Sequence, residues 1–220
     1  MSIHHHLNEA TLMAYAAGTL PESMNLVIAT HLSQCPVCRK KVGEMEEMGA
    51  GSLENDPGLA MRSDALDQIM TLLDADEKPK AFHAANDHST ASASVPLPLR
   101  RFVPDGLEKV SWRNMAPGIK CYTLPGVNAR KGSVRLMKLA PGVAIPEHGH
   151  NGTELTLVLR GSFSDEVGRF KTGDIADLDD DIDHQPIADS DQECICLIAT
   201  EYPLRFKTMV PKIMQYFVGM

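Results

Sequence analysis

The segment spanning residues 142–161 constrains the fold of this chain more than any other part of it. It reads GVAIPEHGHNGTELTLVLRG and follows the pattern G-x5-H-x-H-x3-E-x6-G, which contains His148, His150 and Glu154. On an extended strand, residues two apart point to the same face, so both imidazoles can reach one ion. Asn151-Gly152 turns the chain, and Glu154 returns from the next strand. The segment therefore predicts paired strands that carry a metal site.

The rest of this half of the chain also has the character of β-structure. The segments SVRLMKL, ELTLVLRGSF, DIADL and ECICLIAT are short, β-branched or alternating, and separated by Gly and Pro. Regular short strands without helices between them favour an antiparallel sandwich or barrel. Between two of them, KTGDIADLDDDIDHQP offers His184 as a fourth ligand. Three histidines and one carboxylate suit Zn, Fe, Mn or Ni.

The first third of the chain has helical patterns instead. Asn8 can cap the segment EATLMAYAA, which stops at Gly18. Residues 19–22 (TLPE) form a capping-box pattern for a second helix. A third helix, PVCRKKVGEMEEMG, restarts at Pro36, and a fourth begins near Ser63. The apolar stripes of the second and fourth helices are Met24, Val27, Ile28 and Leu32, and Leu66, Ile69, Met70 and Leu73.

A second metal-type pattern lies among these helices. His31, Cys35 and Cys38 are spaced as H-x3-C-x2-C, a spacing by which two thiolates can share one zinc ion. Tetrahedral zinc needs a fourth ligand, for which we choose His6, the histidine nearest the first helix; the two preceding histidines are alternatives. A structural zinc can supply much of the folding energy of a small helical domain. The competing interpretations are a tag remnant, a thioredoxin-like redox pair and unrelated surface groups.

Cys194 and Cys196 form a third candidate site. On a strand their thiols point to one face, where they could act as a redox or signal-sensing pair. Buried cysteines are more often small apolar core residues, and both interpretations stay open. Thiols two residues apart on a flat strand do not easily form a relaxed disulfide.

Composition narrows the classes of function. The formal net charge is −8, which disfavours direct nucleic-acid binding, and no apolar run is long enough to span a bilayer. The N-terminus lacks the pattern of a signal peptide. We therefore expect a cytoplasmic protein with no membrane association. Five cysteines are too few for a disulfide scaffold and, in a reducing compartment, favour metal or redox chemistry.

The helical part resembles the ZAS (zinc-binding anti-sigma) family, whose zinc ligands match His6, His31, Cys35 and Cys38. The segment LMAYAAGTLPES…ATHLSQCPVCR is similar to its ChrR branch in particular. The resemblance implies a four-helix domain that wraps an extracytoplasmic-function sigma factor in a one-to-one complex and blocks its binding to core RNA polymerase.

The second half resembles the cupin superfamily. Its first motif matches without a mismatch and implies His148, His150 and Glu154 as ligands. The second motif, expected as G-x5-P-x-G-x2-H-x3-N, keeps only Gly173 and His184, because Asp179, Asp181 and Ala188 replace the other positions. The expected metal is zinc, with Fe, Mn or Ni as alternatives.

These resemblances predict an α + β protein with a helical zinc domain at residues 1–77, a linker at 78–98, an all-β cupin barrel at 99–205 and a tail at 206–220. They imply a non-enzymatic anti-sigma factor that releases its sigma factor under oxidative stress, from singlet oxygen or an organic hydroperoxide, sensed through the cupin domain. The alternative is a metal-dependent cupin dioxygenase or isomerase with a helical regulatory domain.

Overall fold

The structure, a computed structural model, describes residues 2–54, 57–75, 95–127, 132–202 and 205–206. Four helices come first: α1 (Glu9–Ala16), α2 (Glu22–Leu32), α3 (Pro36–Glu54) and α4 (Ala65–Ala75). The strands follow, so the predicted α + β class is confirmed. None of the helices in the described ranges has the length and apolar character needed to cross a bilayer. Most of the predicted linker and tail lies outside the described residues.

The helix boundaries follow local hydrogen bonding. Asn8 caps α1 as predicted, because its Oδ1 accepts a hydrogen bond from the Thr11 amide at 2.8 Å. The predicted capping box at the start of α2 is wrong, because the Thr19 hydroxyl donates to the Ala14 carbonyl at the end of the preceding helix. Pro21 precedes α2 without any side-chain cap. Helix α3 also runs further than predicted, through Gly49 and on to Glu54.

The strands form two antiparallel sheets and one short pair. The larger sheet has six strands and the smaller has three. The predicted cupin strands are therefore present as facing sheets that are not closed into one barrel. In hydrogen-bonded order, the larger sheet consists of β1 (Arg113–Ala116), β2 (Ile119–Thr123), β3 (Ser133–Leu139), β10 (Cys194–Thr200), β5 (Glu154–Arg160) and β8 (Ile175–Leu178). The smaller consists of β7 (Arg169–Lys171), β6 (Ser162–Ser164) and β9 (Ile187–Ala188), while β4 (His148–Gly149) pairs with β11 (Arg205–Phe206).

The six-stranded sheet is the middle layer of the molecule. Helix α2 packs on one of its faces, where Val27 and Ile28 join a core that includes Leu157 and Leu197. The opposite face packs on the smaller sheet through residues such as Val158 and the stacked rings of the Phe163–Phe170 pair. Each fully buried aliphatic side chain contributes about 1.5–3 kcal/mol. Because the first core contains residues from both the helices and the sheet, it stabilises both together.

Helix α4 contrasts with the other three. Its apolar side chains are exposed, with Leu66 at 68 % and Leu73 at 63 % of their full accessibility. Burial of an apolar stripe is what normally stabilises an amphipathic helix. Within the described residues, no element covers this stripe. The structure thus presents an amphipathic helix whose apolar face is open.

Candidate metal centres

The first cluster joins the N-terminal segment to α2 and α3. His31 is the penultimate residue of α2, and Cys35 and Cys38 lie just before and within the first turn of α3. The chain before α1 brings His6 to them. The four ligand atoms, one from each residue, all lie within 4.8 Å of one another.

The distances in this cluster fit a tetrahedral ion. Cys35 Sγ lies 3.3 Å from His6 Nδ1, and His31 Nε2 lies 3.4 Å from Cys38 Sγ. Ligands bound to zinc at about 2.0–2.3 Å in tetrahedral geometry are separated by roughly 3.3–3.8 Å. The donor set of two thiols and two imidazoles also suits zinc. The geometry therefore fits the predicted ligand set.

The fold separates the three N-terminal histidines. The ring of His5 packs on Phe170, with centroids 4.3 Å apart, while Nδ1 of His6 faces the two thiols. Alternation along an extended chain accounts for this difference, because successive side chains point to opposite sides. Among the three candidates, the structure brings His6 into the cluster.

The turn that precedes β8 contacts this cluster. The Gly173 carbonyl accepts a hydrogen bond from His31 Nδ1 at 3.1 Å, which leaves Nε2 to face Cys38. Burial lowers the pKa of His31 to about 4, so its imidazole is neutral and able to ligate a cation at neutral pH. Gly173 has a φ of +94°, and a Cβ there would come within 2.9 Å of Ile3. A glycine is therefore required where this turn approaches the N-terminal segment.

Asp174, next to that glycine, also binds the N-terminal segment. Its Oδ1 accepts hydrogen bonds from the backbone amides of His4 and His5, at 2.7 and 3.1 Å. Burial would raise the pKa of this carboxyl, but hydrogen bonds from the amides of Lys171, His4 and His5 outweigh it and lower the pKa. The turn before β8 thus fixes the backbone immediately before His6.

The second cluster lies at one end of the six-stranded sheet. His148 is in β4, Glu154 begins β5, and His150 and His184 lie in the loops nearby. Their ligand atoms again lie within 4.8 Å of one another, and all four residues are buried. The first-motif glycine Gly161 has a φ of +75°, and a Cβ there would lie 2.3 Å from the Glu193 carbonyl oxygen. The structure thus brings together all four residues that the sequence predicts.

The histidine tautomers show that this cluster fits a cation. His148 Nδ1 donates to the Pro146 carbonyl at 2.9 Å, and His184 Nδ1 donates to Asp165 at 2.8 Å. In neutral rings the Nε2 atoms then carry lone pairs, and these two atoms lie 3.1 Å apart. Two facing lone pairs repel unless a proton or a metal cation lies between them. Burial lowers the pKa of His148 to about 4 and raises the pKa of Glu154.

Asp165 is a residue of this site that sequence reasoning missed. It lies in the turn between β6 and β7, and its carboxylate is fully buried. Oδ1 accepts hydrogen bonds from the amides of Val167 and Gly168, while Oδ2 binds His184. Burial favours a raised pKa, but the hydrogen bonds from His184 and the turn lower the pKa of Asp165. The Asp-x-x-Gly pattern indicates a turn in the sequence, but nothing there points to His184.

The Cys194–Cys196 pair lies apart from both ligand sets, in the core between the two sheets. The two sulfur atoms are 3.6 Å apart. The pKa of Cys196 is raised well above its usual value, mainly by the hydrogen bond with Cys194 and next by burial. Both thiols are free, and a protonated buried thiol is a poor nucleophile. This environment favours the core-packing interpretation over the redox one.

Comparison with known proteins finds similarity along almost the whole chain. Residues 106–202 match the family model described as ChrR Cupin-like domain. The anti-sigma-E factor ChrR of Cereibacter sphaeroides is 40 % identical over 218 residues, which cover 99 % of each chain. The crystal structure of Rhodobacter sphaeroides SigE in complex with the anti-sigma ChrR superposes with a TM-score of 0.76 at 39 % identity, over 90 % of this chain and 100 % of that one.

These relatives are regulatory proteins rather than enzymes, as the sequence predicts for this chain. The aligned region extends through both the helical part and the sheets, so it spans both metal-type clusters. The chain belongs to the ChrR family of anti-sigma factors.

Proposed function

We propose that this protein binds an extracytoplasmic-function sigma factor one-to-one in the cytoplasm and keeps it from core RNA polymerase. The observation that carries the proposal is the open apolar face of α4 in a chain that is 40 % identical, end to end, to an anti-sigma factor. Large exposed apolar faces mark interaction sites. An amphipathic helix of this kind is suited to lie in an apolar groove of its partner.

On this proposal, zinc bound by His6, His31, Cys35 and Cys38 holds α1, α2 and α3 in the arrangement that presents the partner surface. Zinc has no redox chemistry of its own and gives a closed four-coordinate site, which suits a structural role. The cupin ligands His148, His150, Glu154 and His184 would hold a second divalent metal, with zinc as first choice.

The binding proposal is tested with two charged variants of α4. Ile69→Asp with Leu73→Asp puts charges on the apolar stripe, and Gln68→Asp with Thr71→Asp adds the same charge to the opposite face. Because these positions are on an exposed helix, both variants are expected to fold. After co-expression with candidate sigma factors, we expect the first variant to bind at least about tenfold more weakly and the second to bind like wild type.

Two results would contradict this proposal. Equal binding by both α4 variants would exclude the α4 stripe as the docking surface. If folded, metal-loaded wild-type protein formed no complex with any sigma factor, the dioxygenase or isomerase alternative would become the better interpretation. Oxygen uptake on a substrate would then be the measurement to make.

We further propose that the cupin site senses the oxidant and passes the signal along β8 to the zinc cluster. The turn that starts β8 contacts His31 through Gly173 and the N-terminal backbone through Asp174. At the other end of β8, Leu178 is the register partner of Glu154. A strand of four residues spans only about 13 Å. A change in the position of Glu154 would therefore displace the element that holds the zinc segment.

Replacing His148 with Ala and Glu154 with Gln together should separate sensing from binding. The double variant is expected to bind the sigma factor like wild type but to fail to release it on exposure to photosensitised singlet oxygen or an organic hydroperoxide. Sigma-dependent transcription from a reporter measures the release, and the exposed Asp191→Asn variant is the control. An unchanged oxidant response in the double variant would exclude a sensing role for this site.

A further inference from the structure

A buried arginine lies beside the cupin cluster and has no part in the function proposed above. Arg135, in β3, is only 9 % exposed. Its register partners are Thr123 in β2 and Ile198 in β10, and Ile198 is in turn opposite Thr156 in β5. Residues opposite one another in antiparallel strands share a face. Arg135 therefore lies on the inner face of the six-stranded sheet, which is the face that packs on the smaller sheet. Its row of opposed residues is next to the row that contains Glu154.

Within the described part of the chain, little neutralises the guanidinium of Arg135. Nη2 donates one hydrogen bond, to Ser133 Oγ at 2.8 Å, and that oxygen also lies 3.0 Å from Thr200 Oγ1. Among the residues that the structure describes, no carboxylate lies within ion-pair distance of Arg135. Burial disfavours its charged form and lowers its pKa. A guanidinium has five donors, and the hydrogen bond to Ser133 uses one of them.

Glu154 is a nearby carboxylate whose negative charge acts to raise the pKa of Arg135 from beyond ion-pair distance. Its oxygens are already engaged, since Oε1 accepts from Thr156 Oγ1 at 3.1 Å and Oε2 lies 3.5 Å from His150 Nδ1. A divalent cation on the four predicted ligands would use the charge of Glu154. Because Glu154 and Asp165 would together balance the charge of a divalent cation, the buried arginine would still have no counter-ion, which is an unfavourable arrangement.

We propose that the inner face of the six-stranded sheet binds a small organic carboxylate, which pairs with the guanidinium of Arg135 beside the cupin cluster. The planar fork of arginine matches the two oxygens of a carboxylate in a bidentate pair. The hydroxyls of Ser133, Thr156 and Thr200 line the same face and can accept or donate further hydrogen bonds. This binding does not depend on the anti-sigma role, because it concerns the isolated protein.

The test is calorimetric titration of the purified, metal-loaded protein with sodium acetate, malonate, succinate and 2-oxoglutarate. Sodium chloride at matched ionic strength is the reference. The variants are Arg135→Met, which removes the charge and keeps the aliphatic stem, and Lys120→Met, which removes one positive charge from an exposed position on the neighbouring strand. Arg135→Lys keeps the charge and loses the fork, and it replaces Arg135→Met if that variant does not fold.

We expect at least one carboxylate to bind wild type and Lys120→Met at a single saturable site. Arg135→Met should weaken its Kd by at least about tenfold, and Arg135→Lys by a smaller factor. The metal content of each protein, measured in parallel, should be unchanged. The proposal is overturned if no carboxylate binds wild type better than chloride does, or if the Arg135 variants bind as tightly as wild type.

Discussion

Replacing Cys35 and Cys38 together with serine is expected to remove one equivalent of metal and to unfold the packing of α1, α2 and α3. In zinc-finger peptides, structural zinc contributes an apparent binding free energy of about 10–16 kcal/mol, which is also folding free energy. Both thiols are fully buried, and the cluster joins three parts of the helical region.

The loss should extend into the sheet. Helix α2 covers the face that contains Leu155, Leu157 and Leu197, so detachment of the helices exposes that face to water. We therefore expect a lower Tm, faster hydrogen exchange in α1–α3 and in β5 and β10, and loss of the sigma-factor complex. Metal analysis should find only the cupin ion.

Cys121→Ser is the matched control, because Cys121 is buried in β2 and belongs to neither metal-type cluster. It should retain both metal equivalents and protected helices. If the double variant retained both metals and native exchange in α1–α3, the N-terminal zinc site would be wrong.

Replacing Asp165 with Asn is expected to lower the metal affinity of the cupin cluster by about 10–100-fold, the usual cost of losing a partner that orients a metal-binding histidine. Asn can keep the hydrogen bonds from the Val167 and Gly168 amides, so the turn should survive. Opposite His184 Nδ1, however, an amide nitrogen would donate where the carboxylate accepts. The ring then favours the tautomer with its proton on Nε2, the atom that must face the ion.

Competition with a chelator measures this affinity, with thermal unfolding of the metal-free proteins as a check on the fold. Asp191→Asn, at an exposed position between β9 and β10, is the control and should bind metal like wild type. The N-terminal site should be unaffected in both variants. Unchanged affinity in Asp165→Asn would mean that His184 is not a ligand, or that it needs no orientation.

The short-range features of the chain could be predicted because they depend on spacing along one element. The strands β3 and β10 lie where alternation places them, and Asn8 caps α1 through a contact three residues away. The pattern from His148 to Glu154 likewise needs only one turn to bring its members together. The predicted capping box at Thr19 is wrong because it was inferred from spacing alone. The Thr19 hydroxyl binds the carbonyl of Ala14 in the preceding helix instead.

Contacts between distant segments could not be predicted in this way. Asp165 and His184 meet because two loops converge, and the sequence has no periodicity that links them. The same is true of Asp174 and the N-terminal backbone, about 170 residues apart. Nothing in the sequence distinguishes Arg135 from an ordinary polar position of a strand. Its burial emerges only when two sheets face each other.

The sequence by itself therefore determined the α + β class, the order of the elements and seven of the eight residues of the two metal-type clusters, all except His6. Ligand chemistry and strand or helix periodicity are local properties that residue spacing encodes directly. The tertiary structure decided that His6, and not His5, faces the thiols, that α2 shares its core with the sheet, and that the face of α4 stays open. These outcomes depend on which surfaces exclude water together, a property of the packed chain as a whole.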